Sequence, residues 1–135
     1  MGRRTLILLD THIWIWFNLA PEKLPATIAA QFRDRNADFG ISAVTVWETV
    51  LAAQKGRIEV VLSPEENVRT WLAENPMKVI PIDKEIAILA RTLRFEHSDP
   101  ADRFIAATAF HLSCPLATAD DQLRRLPWLT VLPSK

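Results

Sequence analysis

The sequence predicts an α/β fold: a parallel sheet covered by helices on both faces. Three observations predict it. Leu6-Ile7-Leu8-Leu9 is a short unbroken apolar run that ends in Asp10, as expected of a strand buried on both sides. Strand-like and helix-like segments alternate from one end of the chain to the other. The 135 residues, 49% of them apolar, are enough for one domain spanning 1–135 with a substantial core, and they exclude a disordered chain.

Taken in order, residues 5–9 form the first strand, and 11–18 a short helix carrying Trp14 and Trp16. Pro21 and Pro25 bracket a turn. A second helix has Pro25 in its first turn, buries Ile28, Ala29 and Phe32, and stops at the polar Arg33-Asp34-Arg35-Asn36. Phe39-Gly40-Ile41 is the second strand, after which Ser42 caps a longer helix. The expected inward stripe of that helix is Ala43, Val44, Trp47, Val50 and Leu51. Lys55-Gly56-Arg57 ends it, with cations in the last turn and a glycine stop. Ser63-Pro64-Glu65-Glu66 combines a serine cap, proline at the first helical position and glutamate three residues after the cap. Val68, Trp71 and Leu72 follow at helical spacing until Asn75-Pro76. Val79-Ile80 is the third strand. Asp83 caps a helix in which Ile86, Leu89, Ala90 and Leu93 share one face, leaving Arg91 and Arg94 outside it. His97-Ser98-Asp99-Pro100 is a break before a long helix from about Ala101 to Leu112. Pro115-Leu116-Ala117-Thr118 is the fourth strand, Asp120 to Arg124 a short helix, and Leu129 to Leu132 the last strand.

Composition removes several classes of function. Three glycines leave no Gly-rich phosphate loop. His12, His97 and His111 lack zinc-ligand spacing. Sixteen basic and sixteen acidic residues cancel, so net charge does not itself point to nucleic acid. No apolar run approaches a membrane span, and the N-terminal run lacks a cleavage signature. The single cysteine, Cys114, cannot form an internal disulfide, which fits a reducing cytoplasm.

The informative residues are acids. Solvated surface is the default for any one acid, but a few lie in apolar sequence at strand ends and helix starts. Asp10 follows the first strand, where open α/β sheets place ligands; it or Thr11 could equally cap the next helix. Glu48 lies in an apolar helix, on a face shared with Ser42 and Thr45. Asp99 reads as a cap before Pro100, and Asp102 lies within the following helix. Asp120 or Asp121 follows the fourth strand. In a sheet of order 3-2-1-4-5, strands one and four are neighbours at the switch point, and Asp10 would face Asp120. Clustered carboxylates disfavour one another's ionisation, and a hard cation such as Mg²⁺ or Mn²⁺ removes the conflict. Such a cation suits metal-assisted phosphodiester hydrolysis without a nucleophilic side chain.

Four motifs then carry a resemblance that covers nearly the whole chain. They are Leu8-Leu9-Asp10-Thr11-His12-Ile13-Trp14, Ile41-Ser42-Ala43-Val44-Thr45-Val46-Trp47-Glu48, the run from Asp99 through Asp102 to Ala109, and Leu116-Ala117-Thr118-Ala119-Asp120. In this order and spacing the chain resembles PIN-domain ribonucleases, specifically the VapC-like toxins of toxin–antitoxin pairs. The resemblance implies a three-layer α/β/α fold with a five-stranded parallel sheet, RNA as substrate, and Mg²⁺ or Mn²⁺ at an acidic site. It places the family's acids on Asp10, Glu48, Asp102 and Asp120, and supporting hydroxyls on Ser42 and Thr118. It further implies a homodimer and a cognate antitoxin whose C-terminal segment covers the site. Lys55, Arg57 and Arg103 are candidate RNA-phosphate contacts, whereas Arg33 and Arg35 fit a solvated helix end better. Trp14, Trp16 and Trp47 could stack on bases or meet the antitoxin, though core packing is the usual use of tryptophan. The competing reading is a catalytically silent module whose acids bind a basic partner or a structural ion.

Overall fold

A computed structural model describes residues 4–96 and 99–134. Five strands form one parallel sheet: β1 (Thr5–Leu9), β2 (Ala37–Ser42), β3 (Lys78–Ile80), β4 (Leu116–Ala117) and β5 (Val131–Leu132). Their order is β3-β2-β1-β4-β5, as the sequence reading requires. β1 is central, pairing Leu9 with Ile41 of β2 on one side and with Ala117 of β4 on the other.

The alternation of a strand explains the two cores. From β1, Ile7 and Leu9 enter a cluster with Ile13, Trp14, Ile28, Val68 and Trp71, contributed by α1 (Thr11–Leu19), α2 (Ala26–Gln31) and α4 (Pro64–Glu74). Leu8 points the other way, with Leu116, Ile105, Ala106, Ala109 and Leu123, beneath α6 (Pro100–His111) and α7 (Asp121–Arg124). Ile86 and Ala90 of α5 (Lys84–Thr92) pack on Ala107 of α6. Trp14 is fully buried and meets Trp71 edge-on at 5.6 Å. That assigns one of the candidate stacking tryptophans to the core.

The capping signals are realised. The Ser63 hydroxyl accepts the Glu66 N–H, the Asp83 carboxylate the Ile86 N–H, and the Asp99 carboxylate the Ala101 and Asp102 N–H groups. Gly56 adopts φ +71° just past α3 (Ala43–Gln54), a conformation that costs glycine nothing. The segment between Pro21 and Pro25 is a turn as expected, and one detail differs, the place of Pro25. Pro21 opens a 3-10 turn, Pro21–Lys23, and Pro25 precedes α2 as its cap. His97 and Ser98 of the expected break lie outside the described residues.

Of the inward stripe expected for α3, Val44 and Val50 pack against the cores, and Trp47 needs correction. Thr45 and Thr49 are the buried residues of the helix, and Trp47 is 62% exposed. The buried hydroxyls are satisfied: Thr49 donates to the Thr45 carbonyl at 2.8 Å, and Thr45 meets Thr11 of α1 at 3.0 Å. Small side chains with satisfied hydroxyls can occupy a buried face that counting apolar residues assigns to larger ones.

Candidate active site

Asp10 leaves the end of β1 at the point where the sheet reverses its winding, the crevice where such sheets bind ligands. Its backbone is pinned to β4 by an N–H···O bond to the Ala117 carbonyl, 3.0 Å. Its carboxylate is 4% exposed and doubly held: Oδ1 accepts the Thr11 N–H at 2.8 Å, and Oδ2 the Thr118 hydroxyl at 2.7 Å. The Thr118 oxygen in turn accepts the Asp120 N–H at 3.0 Å, so one side chain ties the two acids together across the switch point.

Glu48 arrives on the first half of α3. Its Oε1 accepts the Thr11 hydroxyl at 2.6 Å, a charge-assisted bond. Asp99 and Asp102 come from the start of α6. Asp120 caps α7, its Oδ1 accepting from the Gln122 and Leu123 N–H groups.

These five carboxylates feel one another. Burial raises the Asp10 pKa, with Asp120 adding to it, while the hydrogen bond from Thr118 and the nearby His12 oppose the rise. Burial likewise raises Glu48, with Asp99 and Asp10 adding, against the Thr11 hydrogen bond and His12. Asp102 shows the largest effect. Burial, then Asp10, Asp99, Asp120 and Glu48, push its carboxyl up to about 8. Asp121 contributes to none of these shifts and is exposed on α7, so Asp120 is the member of that pair brought to the cluster.

Other site candidates divide. Ser42 is fully buried and accepts the Val44 N–H at 3.1 Å as the cap of α3; Thr11, rather than Ser42, is the hydroxyl bonded to Glu48. Arg103 is used structurally: its guanidinium donates to the Ala90 carbonyl at 3.1 Å and lies 4.7 Å over the Phe95 ring. Lys55 and Arg57 are exposed beyond α3. Arg57 and Lys23 border a cleft of about 420 Å³, alongside Thr11, His12, Trp16 and Glu48. Sequence reasoning missed Lys23 and the use of Thr11 and Thr45. Its one signal for Thr45 was the shared helical face with Glu48.

A PIN domain family model matches residues 7–129. The chain belongs to the PIN domain family. This PIN domain is 29% identical over 123 residues to ribonuclease VapC22 of Mycobacterium tuberculosis, covering 89% of this chain and 91% of that protein. Its fold is similar to that of VapBC2 from Rickettsia felis, solved bound to a promoter DNA fragment. There the TM-score is 0.73 at 17% identity, over 94% of this chain and 97% of that one. FitAcB from Neisseria gonorrhoeae gives a TM-score of 0.64 at 26% identity, over 93% and 95% of the two chains.

Two observations bear on a metal at this PIN-domain site. Among the described residues, no three His, Cys, Asp or Glu side chains stand close enough together to enclose an ion as they are placed. Their chemistry still fits a hard divalent cation: the donors are carboxylate oxygens, and burial together with the neighbouring acids pushes the Asp102 carboxyl up to about 8. Among the described residues, no helix is long and apolar enough to cross a membrane.

Proposed function

We propose that this chain is a single-domain, metal-dependent endoribonuclease, the toxin of a toxin–antitoxin pair, acting in the cytoplasm. The observation that carries the reading is the gathering of Asp10, Glu48, Asp99, Asp102 and Asp120 from separate segments into one mutually repelling group at the switch point of the sheet. The similarity to a ribonuclease supports the activity. The similarity to a toxin–antitoxin complex from Klebsiella pneumoniae and to VapBC-5 of Mycobacterium tuberculosis, a member of a toxin–antitoxin family, supports an antitoxin partner, and homodimerisation is part of the same proposal.

Asp10, Glu48, Asp102 and Asp120 would hold Mg²⁺ or Mn²⁺. The cation would supply Lewis acidity for a water nucleophile and for charge developing on the phosphoryl oxygens. The chain's own residues do the rest. Thr118 holds Asp10 and the Asp120 backbone in one arrangement, and Asp99 fixes the first turn of α6, which carries Asp102. Lys23 and Arg57, in the cleft that Glu48 also lines, and exposed Lys55 at the end of α3 would supply positive charge to offset the acids' repulsion of a polyanion. Purified chain is incubated with RNA in Mn²⁺ and in EDTA, beside Asp10→Asn and Asp102→Asn. The proposal expects EDTA-sensitive cleavage by the parent and none by folded variants. Full activity in either variant removes the assignment, and antitoxin binding without any cleavage favours the silent module.

A further inference from the structure

We propose that Thr45 and Thr11 form an ordered two-hydroxyl chain that sets the position of the Glu48 carboxylate, making both threonines positioning residues of the acidic site. The inference rests on the nuclease reading above and deepens it.

Hydroxyl bookkeeping gives the chain its direction. Thr11 Oγ1 lies 2.6 Å from Glu48 Oε1 and 3.0 Å from Thr45 Oγ1. A hydroxyl has one proton, and an ionised carboxylate only accepts. The Thr11 proton therefore goes to Glu48, and the Thr45 proton goes to the Thr11 oxygen. Each donation polarises the next, which strengthens the terminal bond to the carboxylate.

The placement explains why these threonines are free for the task. Thr49, Thr92 and Thr108 each lie inside a helix and donate to the carbonyl four residues back. Thr11 and Thr45 lie in the first turns of α1 and α3, and the residues four back, Ile7 and Ile41, belong to strands. With no helical carbonyl at that spacing, their hydroxyls turn to each other across the α1–α3 contact. Both residues are buried, Thr45 completely, so water does not compete for these bonds. Glu48 is only half-buried and long, and Thr11 fixes which way it presents its remaining lone pairs.

The test is Mn²⁺ binding by calorimetry on the full chain, with melting curves run in parallel. Thr11→Val should raise the Mn²⁺ Kd about tenfold, in the range seen for outer-shell partners of metal ligands. Thr45→Val should raise it less, and the double variant should match Thr11→Val, because Thr45 acts only through Thr11. Thr11→Ser should restore the parent value. Thr49→Val is the control: it removes an equally buried hydroxyl from the same helix, and it should lower Tm without changing Kd. The inference is overturned if Thr11→Val binds as the parent does, if Thr49→Val weakens binding equally, or if the two variants add. Glu48→Gln separates the two levels. Weakened binding there with an unchanged Thr11→Val removes this inference alone. Unchanged binding in Glu48→Gln, or no Mn²⁺ binding by the parent, removes the site reading and this inference together.

Discussion

Asp102→Asn should stabilise the metal-free protein, and by an amount that grows with pH. The folded chain holds the Asp102 proton up to about pH 8, whereas an unfolded chain releases it near the ordinary 3.8. The folded state thus binds the extra proton, and the stability this gives is fully present below about pH 4 and lost as pH rises through 8. For a carboxyl sealed from water, the gap would be worth about 5–6 kcal/mol. Asp102 is half-buried, so screening leaves roughly half, about 2–3 kcal/mol. Asparagine has no proton to lose and keeps a similar shape. Thermal and guanidinium unfolding of parent and variant, in EDTA from pH 5 to 9, should show the variant gaining about 2 kcal/mol on the parent across the series, since the part of the loss below pH 5 falls outside it, or roughly 6–8 °C in Tm for a chain of this size. Adding Mn²⁺ at a hundredfold excess over Kd should stabilise the parent by about 2.7 kcal/mol and the variant far less. A stability difference that stays flat with pH would refute the burial of the Asp102 carboxyl among neighbouring acids.

Thr118→Val leaves Asp10 Oδ2 without its hydroxyl donor and the Asp120 N–H without its acceptor in a buried setting, so denaturant unfolding should register a loss of about 1–3 kcal/mol. The tryptophans should separate sharply: Trp14→Ala should cost about 3–5 kcal/mol in the same assay, whereas exposed Trp47→Ala should stay within about 0.5 kcal/mol. A drop in RNA cleavage or antitoxin capture by that stable Trp47 variant would assign the exposed ring to a partner. Burial pushes the Cys114 thiol up to about 11, so iodoacetamide at pH 8 should label it in guanidinium and scarcely at all in the folded protein, as mass spectrometry will read.

What the sequence makes legible is what acts over short distances. A four-residue apolar run defined β1, and serine or aspartate before a helical pattern located the starts of α4, α5 and α6, because a cap and its N–H partner lie two or three residues apart. The acids Asp10, Glu48, Asp102 and Asp120 stood out through their apolar flanks and the family motifs. The face of α3 did not, since satisfied threonine hydroxyls are buried where a hydrophobicity count places Trp47. Nor did the partner of Glu48: Thr11 is 37 residues away, and only the packing of α1 on α3 brings it near. Nor does anything local reveal the α5 carbonyl and the Phe95 ring that engage Arg103.

The bond from Thr118 to Asp10 joins residues 108 apart. A nascent chain on the ribosome has therefore made the first acid long before it can make the clasp that holds it. Any product halted before β4 lacks the Thr118 hydroxyl that holds Asp10, and lacks Asp120. Asp10 and Asp120 therefore stay unjoined until nearly the whole chain has been made, and closing this clasp waits on the pairing of β1 with β4.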